Sequence, residues 1–132
     1  MANYYGTGRT NWFKVKDAEA FKADMANYDV EVGEDVQAHE QVFALFGQSE
    51  EGMPSSVYDE DTEDWEEIVW QDAIGKHLAD EWVCVMMGIG NEKMRYLGGH
   101  SLAFNNKGEE HFISLDDIYT KAKDLGKNMS VN

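Results

Sequence analysis

The chain has 132 residues, enough for one domain with a buried core, and 42% of them are hydrophobic, which argues against a disordered chain. Its formal net charge of −15 at pH 7 excludes nucleic acid and anionic membranes as direct partners, because both repel a negative field. The lone Cys84 excludes an intramolecular disulfide, and no apolar run approaches the roughly 20 residues of a membrane span. Residues 1–5 lack the basic and apolar pattern of a secretory leader, so we expect a cytoplasmic location.

The N-terminal third of the chain predicts a strand, a helix and two further strands. Residues 10–16 have the composition of a strand, and Asp17 is a helix-capping residue. The apolar residues that follow recur at spacings of three and four, as on one side of a helix: Ala18, Phe21, Met25 and Tyr28. Residues 30–36 and 41–46 predict the two further strands, and Gly33 indicates a bulge or a bend.

The middle of the chain predicts an acidic loop-plus-helix region at about residues 47–79. Residues 47–61 predict the longest loop, because they contain five turn-forming residues: Gly47, Gly52, Pro54, Ser55 and Ser56. A helix is expected from Thr62 to Ala79, with Trp65, Ile68 and Val69 facing inward. The opposite side of this helix would carry the carboxylates of Glu60, Glu63, Glu66 and Glu67. Trp70 projects nearer the acidic side, either as core or as an aromatic anchor for a partner.

The C-terminal part predicts a β-meander and a final helix. The expected elements are a central strand at 82–89, a strand at 94–104, a turn at 105–108, a strand at 110–114 and a helix at about 115–125. Ser114 and Asp117 have the spacing of a capping box. The last helix would turn four residues inward: Leu115, Ile118, Tyr119 and Ala122. The whole chain, residues 1–132, is therefore expected to form one α+β domain, a mainly antiparallel sheet of about five or six strands with about three helices packed on it.

Residue types used in catalysis and metal binding occur here without the spacing that such sites need. Cys84 lies in an apolar run, where burial makes a thiol inert. The histidines are too scattered for a zinc site: His39, His77, His100 and His111. The acidic run that begins at Asp59 resembles a calcium loop, but Asp64 stands where that loop needs glycine and Trp70 where it needs an acid. The sequence therefore predicts no catalytic residue, cofactor or metal site.

The acidic residues are concentrated in one interval of the chain. Residues 23–75 form a 53-residue interval without a lysine or arginine, and it holds 16 of the 26 acidic residues. The other 79 residues hold the remaining 10 acids and all 11 bases, so their charge is nearly balanced. Charge runs usually form solvated faces. A need for solubility alone, however, favours both signs interspersed, so the interval indicates a surface for a basic partner.

Two pairs of segments carry a family resemblance. They are NYYGTGRTNWFKVKD at 3–17 with EAF at 19–21, and EKMRYLGG at 92–99 with ISLDDIY at 113–119. Together they cover about a quarter of the chain and resemble a group of small acidic proteins carried by phages and other mobile elements. In charge and size the chain is also similar to the antirestriction and anti-CRISPR inhibitors that such elements use against host defence. The resemblance implies an acidic inhibitor and assigns no residue roles.

These observations predict an inhibitor that binds a basic, nucleic-acid-binding protein of the host, a defence nucleoprotein, by mimicking DNA. Duplex DNA carries a charge about every 1.7 Å along its axis, and carboxylates three or four residues apart on a helix lie roughly 5–6 Å apart. The predicted binding residues are Asp59, Glu60, Asp61, Glu63, Glu66 and Glu67, with Glu50, Glu51, Glu31, Glu34 and Asp35 in support and Trp70 as the aromatic anchor. Two alternatives are an immunity or antitoxin-like partner of a basic toxin or effector, and a small cytosolic enzyme or ligand-binding domain.

Overall fold

The computed structural model describes residues 4–48, 52–92 and 96–130, and in these ranges the chain forms eight strands and three α-helices. The strands are β1 Tyr4–Thr10, β2 Val30–Gln37, β3 Glu40–Gly47, β4 Ser56–Asp59, β5 Asp64–Glu67, β6 Cys84–Glu92, β7 Tyr96–Phe104 and β8 Glu110–Ser114. The helices are α1 Ala18–Met25, α2 Trp70–Ala73 and α3 Asp117–Lys121, with 3₁₀ turns at Gly75–His77 and Ala122–Leu125. This is the α+β class predicted from the sequence. None of these helices has the length and apolar character needed to cross a membrane.

Six strands form one antiparallel sheet in the order β2-β3-β1-β6-β7-β8, and β4 pairs with β5 in a separate hairpin. The β2–β3 connection is a two-residue turn in which Ala38 and His39 have φ values of 51° and 66°. Positive φ at both central residues is the type I′ geometry, whose twist matches that of the strands it joins. Gly108, with φ of 83°, supplies the corresponding bend between β7 and β8.

The hydrophobic core lies on one side of this sheet, beneath α1 and residues 68–78, and we refer to that side as the core face. Phe21 of α1 is fully buried. It packs edge-on against Phe13, with ring centroids 5.7 Å apart, and at a tilted angle against Phe43 of β3, with ring centroids 5.4 Å apart. Burial of each such side chain contributes roughly 1.5–3 kcal/mol. The carboxylate of Asp17 caps α1 by accepting hydrogen bonds from the Glu19 and Ala20 N–H groups, so the predicted helix and its cap are confirmed.

The first strand begins earlier than the sequence indicated. Strand β1 ends at Thr10, whereas the prediction placed a strand over 10–16. Within that range only isolated bridges form, from Phe13 to Phe43 and from Val15 to Leu78, because the segment changes its pairing partner from β3 to the chain around Leu78. Gly33 is not a bulge: it pairs with Ala44 in regular register. A Cβ there would press on Phe46 at 2.8 Å, so the glycine makes room for that ring.

The predicted helix over residues 62–79 is wrong. Residues 64–67 form β5 instead, and the helical part is reduced to α2 and the 3₁₀ turn at Gly75–His77. Trp65, expected to face inward, is 65% exposed, and Val69 is also exposed. A spacing of three places Trp65 and Ile68 on one side of a helix but on opposite sides of an extended chain. The structure has the second arrangement, because Trp65 pairs with Tyr58 of β4 and is exposed, whereas Ile68 is buried. The predicted 47–61 loop is correspondingly shorter, because it contains β4.

The predicted C-terminal helix is present only in part, and it does not face the core. Strand β8 lies at the edge of the sheet, so the segment after it lies away from the core that α1 and residues 68–78 already cover. Leu115 and Ile118 are therefore more than half exposed rather than inward. One half of the predicted capping box is confirmed, because the Ser114 N–H donates to Asp117 Oδ2 at 2.7 Å.

Two close backbone approaches bring the chain from β3 to the base of the β4–β5 hairpin. A Cβ added at Gly47 would overlap the carbonyl group of Gly52, and one added at Gly8 would lie 2.8 Å from Met53 Cγ. The absence of a side chain at both positions lets residues 52 and 53 lie directly against β1 and β3. The start of the hairpin is thus fixed against the middle of the sheet.

We predict that Gly47→Ala lowers the free energy of unfolding by about 1–3 kcal/mol, because the new methyl group must displace rigid backbone. Chemical denaturation measures this difference. The matched control is Gly98→Ala, where an added Cβ has nothing within 4 Å, and its expected effect is below about 0.5 kcal/mol. Equal stabilities of the two variants would contradict the close approach.

A charged cluster joins α1 to the 3₁₀ turn at Gly75–His77. Asp24 Oδ2 lies 2.7 Å from His77 Nε2 and 3.2 Å from Lys76 Nζ. Burial works against ionisation of the Asp24 carboxyl, but the hydrogen bonds and charges of His77 and Lys76 outweigh it and hold the pKa of Asp24 below its usual range. The His77 ring in turn packs edge-on against Phe21, so the cluster is continuous with the core.

We predict that Asp24→Asn lowers the free energy of unfolding near pH 7 by about 1–2 kcal/mol. Because folding lowers the pKa of Asp24, this contribution is present above the unfolded value of about 3.9 and is lost as the pH falls through the lower folded value. The stabilities of the variant and the wild type should therefore converge below about pH 4. Urea denaturation across pH tests this, with the exposed Asp29→Asn as the charge-matched control. A pH-independent difference would contradict the ionised contact.

Candidate functional site

The acidic hairpin, which we define as residues 55–68, is the element that gathers most of the predicted binding residues. Its strands pair in the register Ser56 with Glu67, Val57 with Glu66, Tyr58 with Trp65 and Asp59 with Asp64. The Ile68 N–H donates to the Ser55 carbonyl oxygen at 2.8 Å and closes the open end of the ladder. A lone two-stranded hairpin is marginally stable in water, so its base must be held by the rest of the fold.

Trp70 holds the base of the hairpin. Its side chain is only 7% exposed, its ring centroid lies 5.2 Å from that of Tyr28, and its Nε1–H donates to the Pro54 carbonyl oxygen at 2.9 Å. Of the two roles considered for Trp70 in the sequence, core is therefore the one it has. It is not an exposed anchor, because a partner could reach it only by displacing the core.

The two faces of the hairpin differ in chemistry, because alternate residues of a strand point to opposite sides. One face carries Tyr58 and Trp65, directly opposite one another with ring centroids 5.5 Å apart. These rings are 47% and 65% exposed. The other face carries the opposed carboxylates of Asp59 and Asp64, followed by Glu66. One side of the hairpin thus presents the aromatic pair together with Glu67, and the other presents Asp59, Asp64 and Glu66.

The tip of the hairpin is also acidic and is held in one conformation. Asp59 Oδ1 accepts hydrogen bonds from the Asp61 N–H at 2.9 Å and the Thr62 N–H at 3.4 Å, which folds the turn over its own carboxylate. Glu63 has φ of 55°, a left-handed conformation that glycine adopts without strain and glutamate does not. A charged side chain is therefore present at a position where the backbone would favour glycine.

The structure brings the six principal predicted residues into one element, although it is not the predicted helix. They are Asp59, which is partly buried, and the exposed Glu60, Asp61, Glu63, Glu66 and Glu67. Glu66 and Glu67 point to opposite faces, so the expected helical row of carboxylates 5–6 Å apart does not exist. The wrong element was predicted because the spacing of glutamates and apolar residues here fits a helix.

The supporting residues lie elsewhere. Glu31, Glu34 and Asp35 are exposed on β2, the strand at one edge of the large sheet. Glu34 forms an ion pair with Lys22 Nζ at 2.5 Å and so is partly neutralised. Acids along an edge strand also discourage pairing with another chain, which explains them without a partner. Glu50 and Glu51 lie outside the described residues.

The carboxylates of the hairpin differ electrostatically from those in the rest of the molecule. Among the described residues, the acids in ion pairs are Glu40, Glu34 and Asp24, and none of them belongs to the hairpin. Like charges directly opposite across a ladder, as at Asp59 and Asp64, destabilise the pairing. The hairpin therefore concentrates negative charge that a basic partner would neutralise.

Sequence reasoning missed the aromatic pair, because it assigned Trp65 to the core and gave Tyr58 no role. A signal was present: Val57 and Tyr58 favour a strand, and the Asp59–Asp64 segment has the composition of a turn. Together they indicate a hairpin that would place Tyr58 opposite Trp65. The neighbouring Pro54 and the many acids concealed this pattern.

Other residue types considered for chemistry lie apart from one another. Cys84 is fully buried, and this burial raises the pKa of its thiol. Within the described ranges no three His, Cys, Asp or Glu side chains are grouped as metal ligands would be. Comparison of the chain with protein-family models, curated proteins and solved structures gives no match. The functional argument therefore depends on the residues themselves.

We predict that Asp64→Asn raises the free energy of unfolding by about 0.2–1 kcal/mol at low salt, because it removes one of two opposed carboxylates. The gain should disappear near 1 M salt, where the Debye length is about 3 Å. Chemical denaturation at both salt concentrations checks this. Glu67→Gln, opposite the uncharged Ser56, is the matched control. An equal gain from Glu67→Gln would show general charge repulsion instead of this pair.

Proposed function

We propose that the protein is an acidic inhibitor of a host defence nucleoprotein, of the anti-CRISPR or antirestriction type, whose acidic hairpin occupies a basic nucleic-acid-binding surface. One observation carries the proposal: a single exposed element combines an aromatic pair with seven carboxylates and contains no base. These carboxylates are Asp59, Glu60, Asp61, Glu63, Asp64, Glu66 and Glu67.

The charge of the hairpin suits a groove that normally holds nucleic acid. Proteins that bind DNA line such grooves with Lys and Arg, and binding releases the counterions condensed on the phosphates. Carboxylates two residues apart on one strand face, such as Asp64 and Glu66, lie roughly 6–7 Å apart. Adjacent strands add charge about 4.8 Å away. The hairpin would thus mimic the local charge density of nucleic acid. It does not reproduce the regular spacing of phosphates, which the predicted helix was expected to match.

The aromatic pair gives the complex a source of affinity that is independent of charge. Trp and Tyr dominate the binding energy of protein interfaces when a partner desolvates them. Trp65 is 65% exposed and lies against Tyr58, so each ring limits the conformations open to the other before binding. Ordering in advance lowers the entropy lost on association. Trp65 takes the anchoring role that the sequence had offered to Trp70.

The distribution of charge along the chain supports fast association. Residues 23–75 contain no lysine or arginine, so the hairpin is flanked by sequence that adds further negative charge. A field of one sign over a surface steers an oppositely charged partner and raises the association rate, most strongly at low salt. Charge would then govern how often the partners meet, and the aromatic pair how long they remain together.

We predict that neutralising the hairpin with Glu60→Gln, Glu63→Gln and Glu66→Gln lowers affinity for the captured host protein at least about tenfold. The immobilised wild-type protein captures that partner from host extract, and calorimetry with the purified partner measures the affinity. All three side chains are exposed, so the variant should fold. Trp65→Ser should lower affinity at least about tenfold through faster dissociation.

The control carries the same change in net charge outside the hairpin: Glu110→Gln, Asp116→Asn and Asp124→Asn, all exposed. It should retain most of the affinity. Duplex DNA or guide RNA should compete with the wild-type protein for the partner. Equal losses in both triple variants would contradict a role for the hairpin. A captured partner that still binds nucleic acid when saturated would contradict mimicry and favour the immunity-type alternative.

A further inference from the structure

The side of the sheet opposite the core face carries a large exposed apolar surface over β1, β6, β7 and the end of β8, which we refer to as the open face. Six side chains form it, each between 49% and 75% exposed: Tyr5, Met87, Ile89, Leu97, Ile113 and Leu115. Scattered single hydrophobics are normal on a monomer, whereas contiguous apolar patches beyond a few hundred Å² mark interaction sites.

Strand register shows that these six side chains form one patch. Met87 of β6 pairs with Ser101 of β7, and Ser101 pairs with Ile113 of β8. Paired residues of an antiparallel sheet point to the same side, so these three side chains lie in one row across the sheet. Ile89 is level with Gly99, and the Leu115 side chain lies over Gly99, where an added Cβ would contact it at 3.0 Å. Tyr5 and Leu97 flank Asn91 in the next row.

The open face is the part of the sheet surface that lacks carboxylates. The described strand residues that point to this side of β1, β6, β7 and β8 are Tyr5, Thr7, Arg9, Val85, Met87, Ile89, Asn91, Leu97, Gly99, Ser101, Ala103, His111 and Ile113. None of them is acidic, in a chain with 26 acidic residues. The positively charged Arg9 is directed over the Phe46 ring at 4.7 Å. Two such faces can therefore meet without opposing carboxylates.

We propose that the open face is the interface of a homodimer, in which a second copy of this chain covers it. At these exposed fractions the six side chains present several hundred Å² of apolar surface, which approaches the roughly 800 Å² that each partner buries in a standard interface. The polar residues Thr7 and Ser101 adjoin the patch on the same side of the sheet. The basic partner proposed for the hairpin has no electrostatic reason to bind here.

The surface shape of the open face suits self-association. It contains two shallow depressions, of about 430 Å³ and about 150 Å³. Ile89 and Leu115 line both depressions, so their side chains form the ridge that separates the two. Leu97 is the most exposed of the six side chains. In a two-fold symmetric interface each copy offers the same projections and depressions to the other. Ridges and hollows on one face can therefore interlock with their own copies.

Sedimentation equilibrium of the full chain between about 1 µM and about 1 mM tests this proposal. The wild type should reach twice the 15.0 kDa of one chain and stay dimeric at about 0.5 M salt, because apolar burial is not screened. Ile89→Glu places a charge in the interface and should raise the dimer dissociation constant at least about 100-fold. Val36→Glu, at a strand residue 69% exposed on β2, is the matched control and should stay dimeric.

Leu97→Ser tests the dimer interface if Ile89→Glu does not fold. This milder change removes apolar surface at a side chain already 75% exposed, and it should raise the dissociation constant at least about tenfold. A wild type that remains at 15.0 kDa over the whole range would overturn the proposal. So would a dimer that survives both open-face changes, or one that Val36→Glu disrupts equally. The proposed dimer interface includes no hairpin carboxylate, so the result of this experiment is independent of whether the protein is an inhibitor.

Discussion

The acidic hairpin depends on one buried contact, that of Trp70 with Tyr28 and the Pro54 carbonyl group. Two strands that carry opposed carboxylates and an exposed aromatic pair have little to hold them together by themselves. Their base is stable because the Trp70 indole is part of the core and donates a hydrogen bond to the residue just before the hairpin. The close approach of Gly47 to Gly52 fixes the same point from the other side. The core thus supplies the stability that the exposed part of the hairpin lacks.

The molecule separates two kinds of surface that would interfere with each other. Negative charge is concentrated in the hairpin and along β2, whereas the open face over β1, β6, β7 and β8 is apolar and free of carboxylates among its described strand residues. Charge attracts a basic protein from a distance and weakens with salt. Apolar area acts only on contact and does not weaken with salt. The proposed self-association and the proposed binding of a basic partner would therefore depend on different physical forces.

Much of the fold could be predicted from local pattern. The cap at Asp17 and the α+β class follow from helical spacing and turn residues that agree with one another. The strands predicted at 30–36, 41–46, 82–89 and 110–114 are present within about three residues of those bounds. The acidic segment could not be predicted in this way, because the spacing of Trp65, Ile68 and Val69 fits one side of a helix. Pairing with residues 56–59 forms the hairpin instead, and that is a tertiary contact. The exposure of Leu115 and Ile118 likewise depends on where β8 lies in the sheet.

The principal predicted binding residues lie together in one element, but that element is a hairpin and not the expected helix. The sequence alone shows that carboxylates are concentrated from Asp59 to Glu67. The face of the hairpin on which each one lies, and the pairing of Trp65 with Tyr58, could be read only from the register of β4 and β5. The central claim is that these carboxylates bind a basic surface. The affinity of the captured partner for the wild-type protein and for the Glu60, Glu63 and Glu66 triple-glutamine variant, measured from about 50 to about 500 mM salt, tests it most directly. We expect a steep loss of wild-type affinity with salt and a shallower one for the variant, whereas parallel or flat salt dependences would contradict the account.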